Sequence, residues 1–260
     1  MLRLLIVTLL GVGTALTVVY GYGRSRASAA ATTDQHPPIN DRTLLWSEEF
    51  DGERLDTSRW NLGNTPASNL RNDEVANAPA VCLANGLLAL TAGSEDGYSL
   101  TTNGKHHFRY GRVEIRARVP RAAGVEPAFC LVRSANNYAA AFPVGIDVVR
   151  YVGDRPGEIR TGVHGKSGAQ SHTTALAGIE EDFHRYAAEW TAGGISFFVD
   201  DRMVHTVSQL PEEAQSLAGE QSCYLSLTMI GEAIAPDREP AAAAAANTFF
   251  IDYVRVYAPE

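Results

Sequence analysis

Between Phe142 and Gly153 the chain carries one carboxylate, Asp147, with Gly145 two residues before it and Arg150 three residues after it. On a plain strand residues 145, 147 and 149 share a face. Neither flanking residue is equipped for group or proton transfer. Glycine offers no nucleophile, and a guanidinium stays protonated at any working pH. A single carboxylate cannot both attack and donate a proton. The three cysteines, Cys82, Cys130 and Cys223, are too few and too scattered for a disulfide framework or a zinc site. One pair could still form, or all three could serve as small buried hydrophobes. The sequence holds no phosphate-binding loop, no metalloprotease motif and no internal repeat.

The elements that must position these groups read as short strands separated by turns. Val113, Ile115, Ala117 and Val119 alternate with Arg112, Glu114, Arg116 and Arg118, the period of a half-buried strand. Leu87 to Thr91 reads as a strand entered through Asn85-Gly86, a dipeptide suited to a type I′ hairpin turn, and Asn103-Gly104 predicts a second such turn. Further strands are expected at Arg185 to Trp190, Ile195 to Asp200, Tyr224 to Met229 and Phe249 to Tyr257. Only Pro211 to Leu217, closed by Gly219, reads as helical, and Ala241 to Ala246 reads as a surface loop. Many strands with almost no helix predict an all-β, antiparallel sandwich.

The chain has 260 residues, 45% of them hydrophobic, which suits one β domain with a substantial core. Residues 1–29 read as a signal peptide or a membrane anchor: Arg3 precedes an apolar run from Leu4 to Val19, and Ala27-Ser28-Ala29 offers a cleavage site. Basic residues flank both ends of the run, so cleavage and anchoring both stay open, the second implying a membrane tether. Residues 30–43 read as a flexible linker and 44–260 as the folded domain, expected to be monomeric. The formal charge is −8, and without Arg3, Arg24 and Arg26 it is −11. Such a surface repels nucleic acid and anionic lipid, and an uncharged ligand such as a neutral glycan suits it better.

Several segments, in order, resemble the family 16 glycoside hydrolases, the laminarinases and β-glucanases, and imply a bacterial-type member. They are Leu45-Trp46-Ser47-Glu48-Glu49-Phe50-Asp51-Gly52 with Leu55-Asp56 and Trp60; Tyr110-Gly111-Arg112-Val113-Glu114-Ile115; Phe142-Pro143-Val144-Gly145-Ile146-Asp147-Val148-Val149-Arg150-Tyr151-Val152-Gly153; Phe183 to Trp190 with Phe198-Val199-Asp200; and Ile251 to Tyr257. The resemblance implies a concanavalin A-like jelly roll with a concave cleft. The family's catalytic strand reads Glu-Ile-Asp-x-x-Glu. By resemblance Gly145 stands at the nucleophile position, Asp147 is retained, and Arg150 stands at the acid/base position. That spacing requires a bulge, which brings Arg150 round to the face of Gly145 and Asp147 and into contact with Asp147. A retaining glycosidase needs two carboxyl groups about 5 to 5.5 Å apart, and losing the nucleophile costs on the order of 10⁴-fold in rate.

The family's Trp-Pro-Ala-Phe-Trp segment corresponds to Glu126-Pro127-Ala128-Phe129-Cys130, so both ring positions lack an aromatic face for sugar stacking. Glu126 and, on a following segment, Glu158 are readable as cleft carboxylates or as solvated surface. His164 is readable as a ligand contact or as a structural histidine. Tyr110 and Arg112 are readable as cleft groups or as strand positioners, and Trp46, Trp60 and Trp190 as core. The resemblance further implies a structural calcium site from Asp252 and the backbone carbonyls of Glu49 and Gly86. The alternative, in which Asp252 caps local backbone, stays open, and no cofactor is required. Three functions follow as expectations: an exported domain without hydrolase activity that binds a polysaccharide or cell-surface glycan; an active glycosidase or transglycosylase using a relocated carboxylate such as Glu126; and a structural envelope protein with an occluded cleft.

Overall fold

Alternating residues around Val113 and Ile115 form a strand, Gly111–Arg118, in a computed structural model of the chain. The structure describes residues 42–63, 81–92, 94–133, 144–165, 168–210, 222–231 and 246–260. The apolar N-terminal run, the linker up to residue 41, the helix expected at Pro211 to Leu217 and the alanine run up to residue 245 lie outside the described residues.

In chain order the strands are β1 (Leu44–Glu48), β2 (Asn61–Gly63), β3 (Val81–Ala84), β4 (Leu87–Thr91), β5 (Ser94–Thr101), β6 (Gly111–Arg118), β7 (Val125–Arg133) and β8 (Gly145–Tyr151). They continue with β9 (Glu158–Gly165), β10 (Gly168–Ala175), β11 (His184–Thr191), β12 (Gly194–Val199), β13 (Arg202–Val207), β14 (Cys223–Gly231) and β15 (Thr248–Tyr257). Two antiparallel sheets result. The first has the order β13-β12-β11-β6-β15-β4-β3, with β1 also paired to β15; the second has the order β10-β9-β8-β7-β14-β5-β2. The predicted all-β sandwich is thus the observed architecture, and the four later strands fall within two residues of their expected bounds.

The core lies between the sheets. Val113, Ile115 and Ala117 of β6 meet Leu225, Leu227 and Met229 of β14 and the aromatic side chains of Phe129, Tyr151 and Trp190, all buried. Burying each large apolar side chain contributes about 1.5–3 kcal/mol. β15 keeps its apolar residues inward across a register shift at Asp252: Phe249 and Ile251 face the core before it, Val254 and Val256 after it. The bulge absorbs one residue, so an odd-numbered set gives way to an even-numbered one without exposing either.

Two sequence expectations are corrected. Asn85 and Gly86 both have positive φ (56° and 74°), as a type I′ hairpin between β3 and β4 requires. At Asn103-Gly104 only Gly104 does (71°), and no hairpin forms. The turn closes with Lys105 N–H donating to the Thr102 carbonyl, and the chain then crosses to the other sheet. The polar side of β6 is also more buried than alternation implies, with Arg112 3% and Glu114 1% exposed. Arg112 donates to Glu114, Glu189 and Asp201 and lies 5.1 Å from the Phe198 ring, while the Tyr253 hydroxyl donates to Glu114 at 2.8 Å. A buried charge persists only when paired and hydrogen-bonded in this way.

Candidate functional site

The face of the second sheet that points away from the core is shaped by β8. Against β7, Cys130 pairs with Asp147, Phe129 with Val149 and Ala128 with Arg150, so Val148 is an extra residue. Against β9, Asp147 pairs with Gly162 and Arg150 with Arg160, across the same irregularity. Val148 and Val149 both go into the core, at 0% and 1% exposure. This is the expected bulge: it turns two consecutive apolar residues inward and leaves Gly145, Asp147 and Arg150 together on the open face.

Asp147 is 5% exposed and fully engaged. Arg150 Nη2 donates to its Oδ1 at 3.2 Å, and the Cys130 thiol donates to the same oxygen at 3.0 Å. His164 Nδ1 lies 3.2 Å from Oδ2, off the line a hydrogen bond needs, so that contact is electrostatic. Burial alone would raise the carboxyl's pKa, but His164, Arg150 and Cys130 together hold it well below the usual carboxylate range. Asp147 is therefore a permanent anion at working pH, unsuited to donating a proton. Burial and the neighbouring Asp147 push the Cys130 thiol well above its ordinary value, which removes the thiolate a nucleophile would need.

Gly145 is closed off by packing. A Cβ built there would come within 2.7 Å of His164 Cε1 and Nε2 and within 2.7 Å of the Leu131 carbonyl oxygen. The register explains this, because Gly145 pairs directly with His164 on β9. The imidazole occupies the space into which any side chain at 145 would grow. His164, expected either to touch ligand or to be structural, is placed as a packing and electrostatic partner of Asp147, with its side chain 23% exposed.

The other expected residues divide. Glu126, half-buried, follows the same β7 alternation as Ala128 and Cys130 and so shares the open face, where its charge supports that of Arg150. Glu158, also half-buried, lines a small surface pocket with Arg150. Tyr110 stands just before β6, with φ 62° and its ring 5.1 Å from that of Trp190, so it belongs to the first sheet and away from Asp147. Trp60 and Trp190 are buried in the core, and Trp46 packs edge-on against Trp60. All three tryptophans are thereby accounted for away from the open face, where Tyr224 lies beside Ala128, Cys130 and Val132 and the His164 imidazole covers Gly145. Phe142 and Pro143 lie outside the described residues. All three cysteines are free, Cys82 exposed and the other two buried. The sequence reading missed Cys130 as a hydrogen-bond donor to Asp147 and missed Arg160 altogether. The Gly153 to Gly157 turn signal, which folds β9 back onto β8, could have exposed the second.

The donor set expected for calcium fits poorly. Asp252 is the one side chain in that set, the Glu49 and Gly86 groups being backbone carbonyls, and its Oδ2 accepts from Arg116 Nη1 at 2.7 Å. Among the described residues no group of three or more His, Cys, Asp or Glu side chains is placed to hold a metal. Calcium takes six to eight oxygens, and a guanidinium already neutralises the one carboxylate offered. Chelation is accordingly expected to leave the thermal midpoint of unfolding unchanged. A bound ion at a hundred times its Kd would instead add about 2.7 kcal/mol, roughly 5–10 °C, and a rise of that size on adding calcium chloride would contradict this reading.

Comparison with known proteins bears on what this arrangement descends from. A family model, Glycosyl hydrolases family 16, matches residues 70–252. The glucan endo-1,3-beta-glucosidase A1 of Niallia circulans is 28% identical over 86% of this chain, and the beta-glucanase of Rhodothermus marinus is 32% identical over 62% of it. The chain spans 39% and 64% of those two relatives' own lengths. A beta-1,3-glucan-binding protein from Tenebrio molitor is 27% identical over 40% of the chain. Among solved structures, the laminarinase from Flavobacterium sp. UMI-01 superposes with a TM-score of 0.66 at 30% identity, covering 83% of this chain and all of that one. Given the two-sheet sandwich, the bulged β8 and a family match that spans most of the chain, this protein belongs to glycosyl hydrolase family 16.

Proposed function

We propose that this domain binds a polysaccharide without cleaving its glycosidic bonds, and that it does so outside the cytoplasm. The observation that carries the reading is the packing of His164 into the space above Gly145, beside an Asp147 already held by three partners. Retaining hydrolysis requires one carboxylate free to attack and one acid able to donate. The motif positions where family 16 enzymes carry glutamates hold Gly145 and Arg150 here, and neither can take up those roles. Similarity to a protein named for β-1,3-glucan binding supports retention of a binding role within the family. The apolar run from Leu4 to Val19 behind Arg3 supports export.

One observation favours a competing reading: Glu126 shares the open face with Arg150 and could act as a relocated carboxylate. The full chain should be offered laminarin, mixed-linkage glucan and agarose, with binding and release of reducing ends measured on the same samples. Binding with no release is expected. Release that disappears in Glu126→Gln would replace the proposal with the hydrolase.

A further inference from the structure

Resting on the binding reading, we infer that the open face selects an anionic glycan, one bearing carboxylate or sulfate groups, through Arg150, Arg155 and Arg160. The chain as a whole carries −8, yet the small pocket at the end of β8 is lined by three arginines against one acid, Glu158. Arg150 and Arg160 stand directly opposite each other across the β8–β9 ladder. Like charges in that position destabilise a sheet. Asp147 answers Arg150 at 3.2 Å, but among the described residues neither Arg155 nor Arg160 has a carboxylate within ion-pair range. Three arginines against Glu158, with Asp147 answering Arg150, therefore leave a local excess of positive charge that no ion pair among the described residues neutralises at Arg155 or Arg160.

The shape of the patch narrows the ligand. A guanidinium presents a planar fork of donors that matches a carboxylate or sulfate, and Thr173 on β10 adds a hydroxyl at the same pocket. Neutral sugars are usually held by aromatic faces, and no tryptophan or phenylalanine is placed on the described part of this face, which carries Tyr224 and the His164 imidazole packed over Gly145. Arg150 is fixed by Asp147, so one fork is oriented before any ligand arrives, which lowers the ordering cost of binding. The acidic remainder of the surface repels polyanions in general, so attraction confined to this patch gives selectivity rather than indiscriminate adhesion.

The test uses the full chain in affinity electrophoresis or calorimetry against alginate for carboxylate, κ-carrageenan for sulfate, and laminarin as the neutral probe. One of the two charged polymers is expected to bind at least about tenfold tighter than laminarin, with affinity falling as salt is raised. Arg160→Ala is expected to lose about tenfold or more for that polymer, with Arg160→Lys intermediate because it keeps the charge but not the fork. Arg202→Ala, which removes one exposed charge from the other sheet, should leave binding unchanged. Thermal melts should show Arg160→Ala no less stable than the parent, since the substitution removes a like-charge pair. Equal loss from Arg202→Ala, or laminarin bound as well as either polyanion and insensitive to Arg160→Ala, overturns the anionic assignment and leaves the binding reading standing. Turnover of any of the three overturns the binding reading itself, and binding to none of them ends both.

Discussion

Asp147→Ala is expected to destabilise the domain by about 2–4 kcal/mol, lowering the thermal midpoint by roughly 5–15 °C. The carboxylate is buried, accepts hydrogen bonds from Arg150 and Cys130 and lies 3.2 Å from His164 Nδ1. Removing it strands a guanidinium whose side chain is only 27% exposed. The estimate sits below the full range for breaking a buried ion pair because Arg150 retains that access to water. Replacing Arg150 by methionine in the same chain should recover part of the loss, and a double-mutant cycle should show a coupling above about 1 kcal/mol. Simple additivity would mean that the two side chains do not depend on each other, contrary to the geometry. The pH dependence has a definite sign. Asp147 is held below its unfolded value of about 3.9, so its contribution is fully present above that pH and fades as pH falls beneath it. Urea unfolding of the parent and of Asp147→Asn should therefore differ most near neutrality and converge as the solution is acidified below about pH 4. A gap that stays constant would remove the ion pair from the explanation.

Gly145→Glu, the substitution that would put a carboxylate back where family enzymes are expected to carry one, should fail to restore catalysis and should destabilise the fold. Its Cβ alone meets the His164 ring and the Leu131 carbonyl at 2.7 Å. Overpacking of this kind costs about 1–3 kcal/mol, and a second anion beside Asp147 adds repulsion. The imidazole is a movable obstacle, whereas the Leu131 carbonyl is backbone in a sheet. His164→Ala combined with Gly145→Glu should thus recover only part of the stability. The double Gly145→Glu, Arg150→Glu variant should remain inactive while His164 is present. Measurable release of reducing ends from laminarin by that double variant would mean that the machinery needs nothing beyond the two glutamates, and the packing argument would fall.

Much of the scaffold was legible because β structure writes itself in period two. Val113, Ile115 and Ala117 announced β6, and the strand expected at Phe249 to Tyr257 is β15. Where alternation misled, the cause was tertiary. Arg112 and Glu114 look like solvent-facing residues until Glu189, Asp201 and Tyr253 arrive from other strands to bury and satisfy them. Asn103-Gly104 looked like a hairpin, but the next strand, β6, lies in the other sheet, so β5 pairs with β2 and the distant β14 instead.

The linear chain by itself determined the sandwich, the absence of any nucleophile at Gly145, the fixed cation at Arg150 and the non-aromatic side chains of Glu126 and Cys130 around Pro127, because each is a property of residue type or of local period. Only the tertiary structure decided that His164 fills the space over Gly145, that Cys130 donates to Asp147 and that Arg160 faces Arg150. Those facts depend on strand register, which is set by a bulge and by turns many residues away, and a shift of one residue would send each of these side chains to the opposite face.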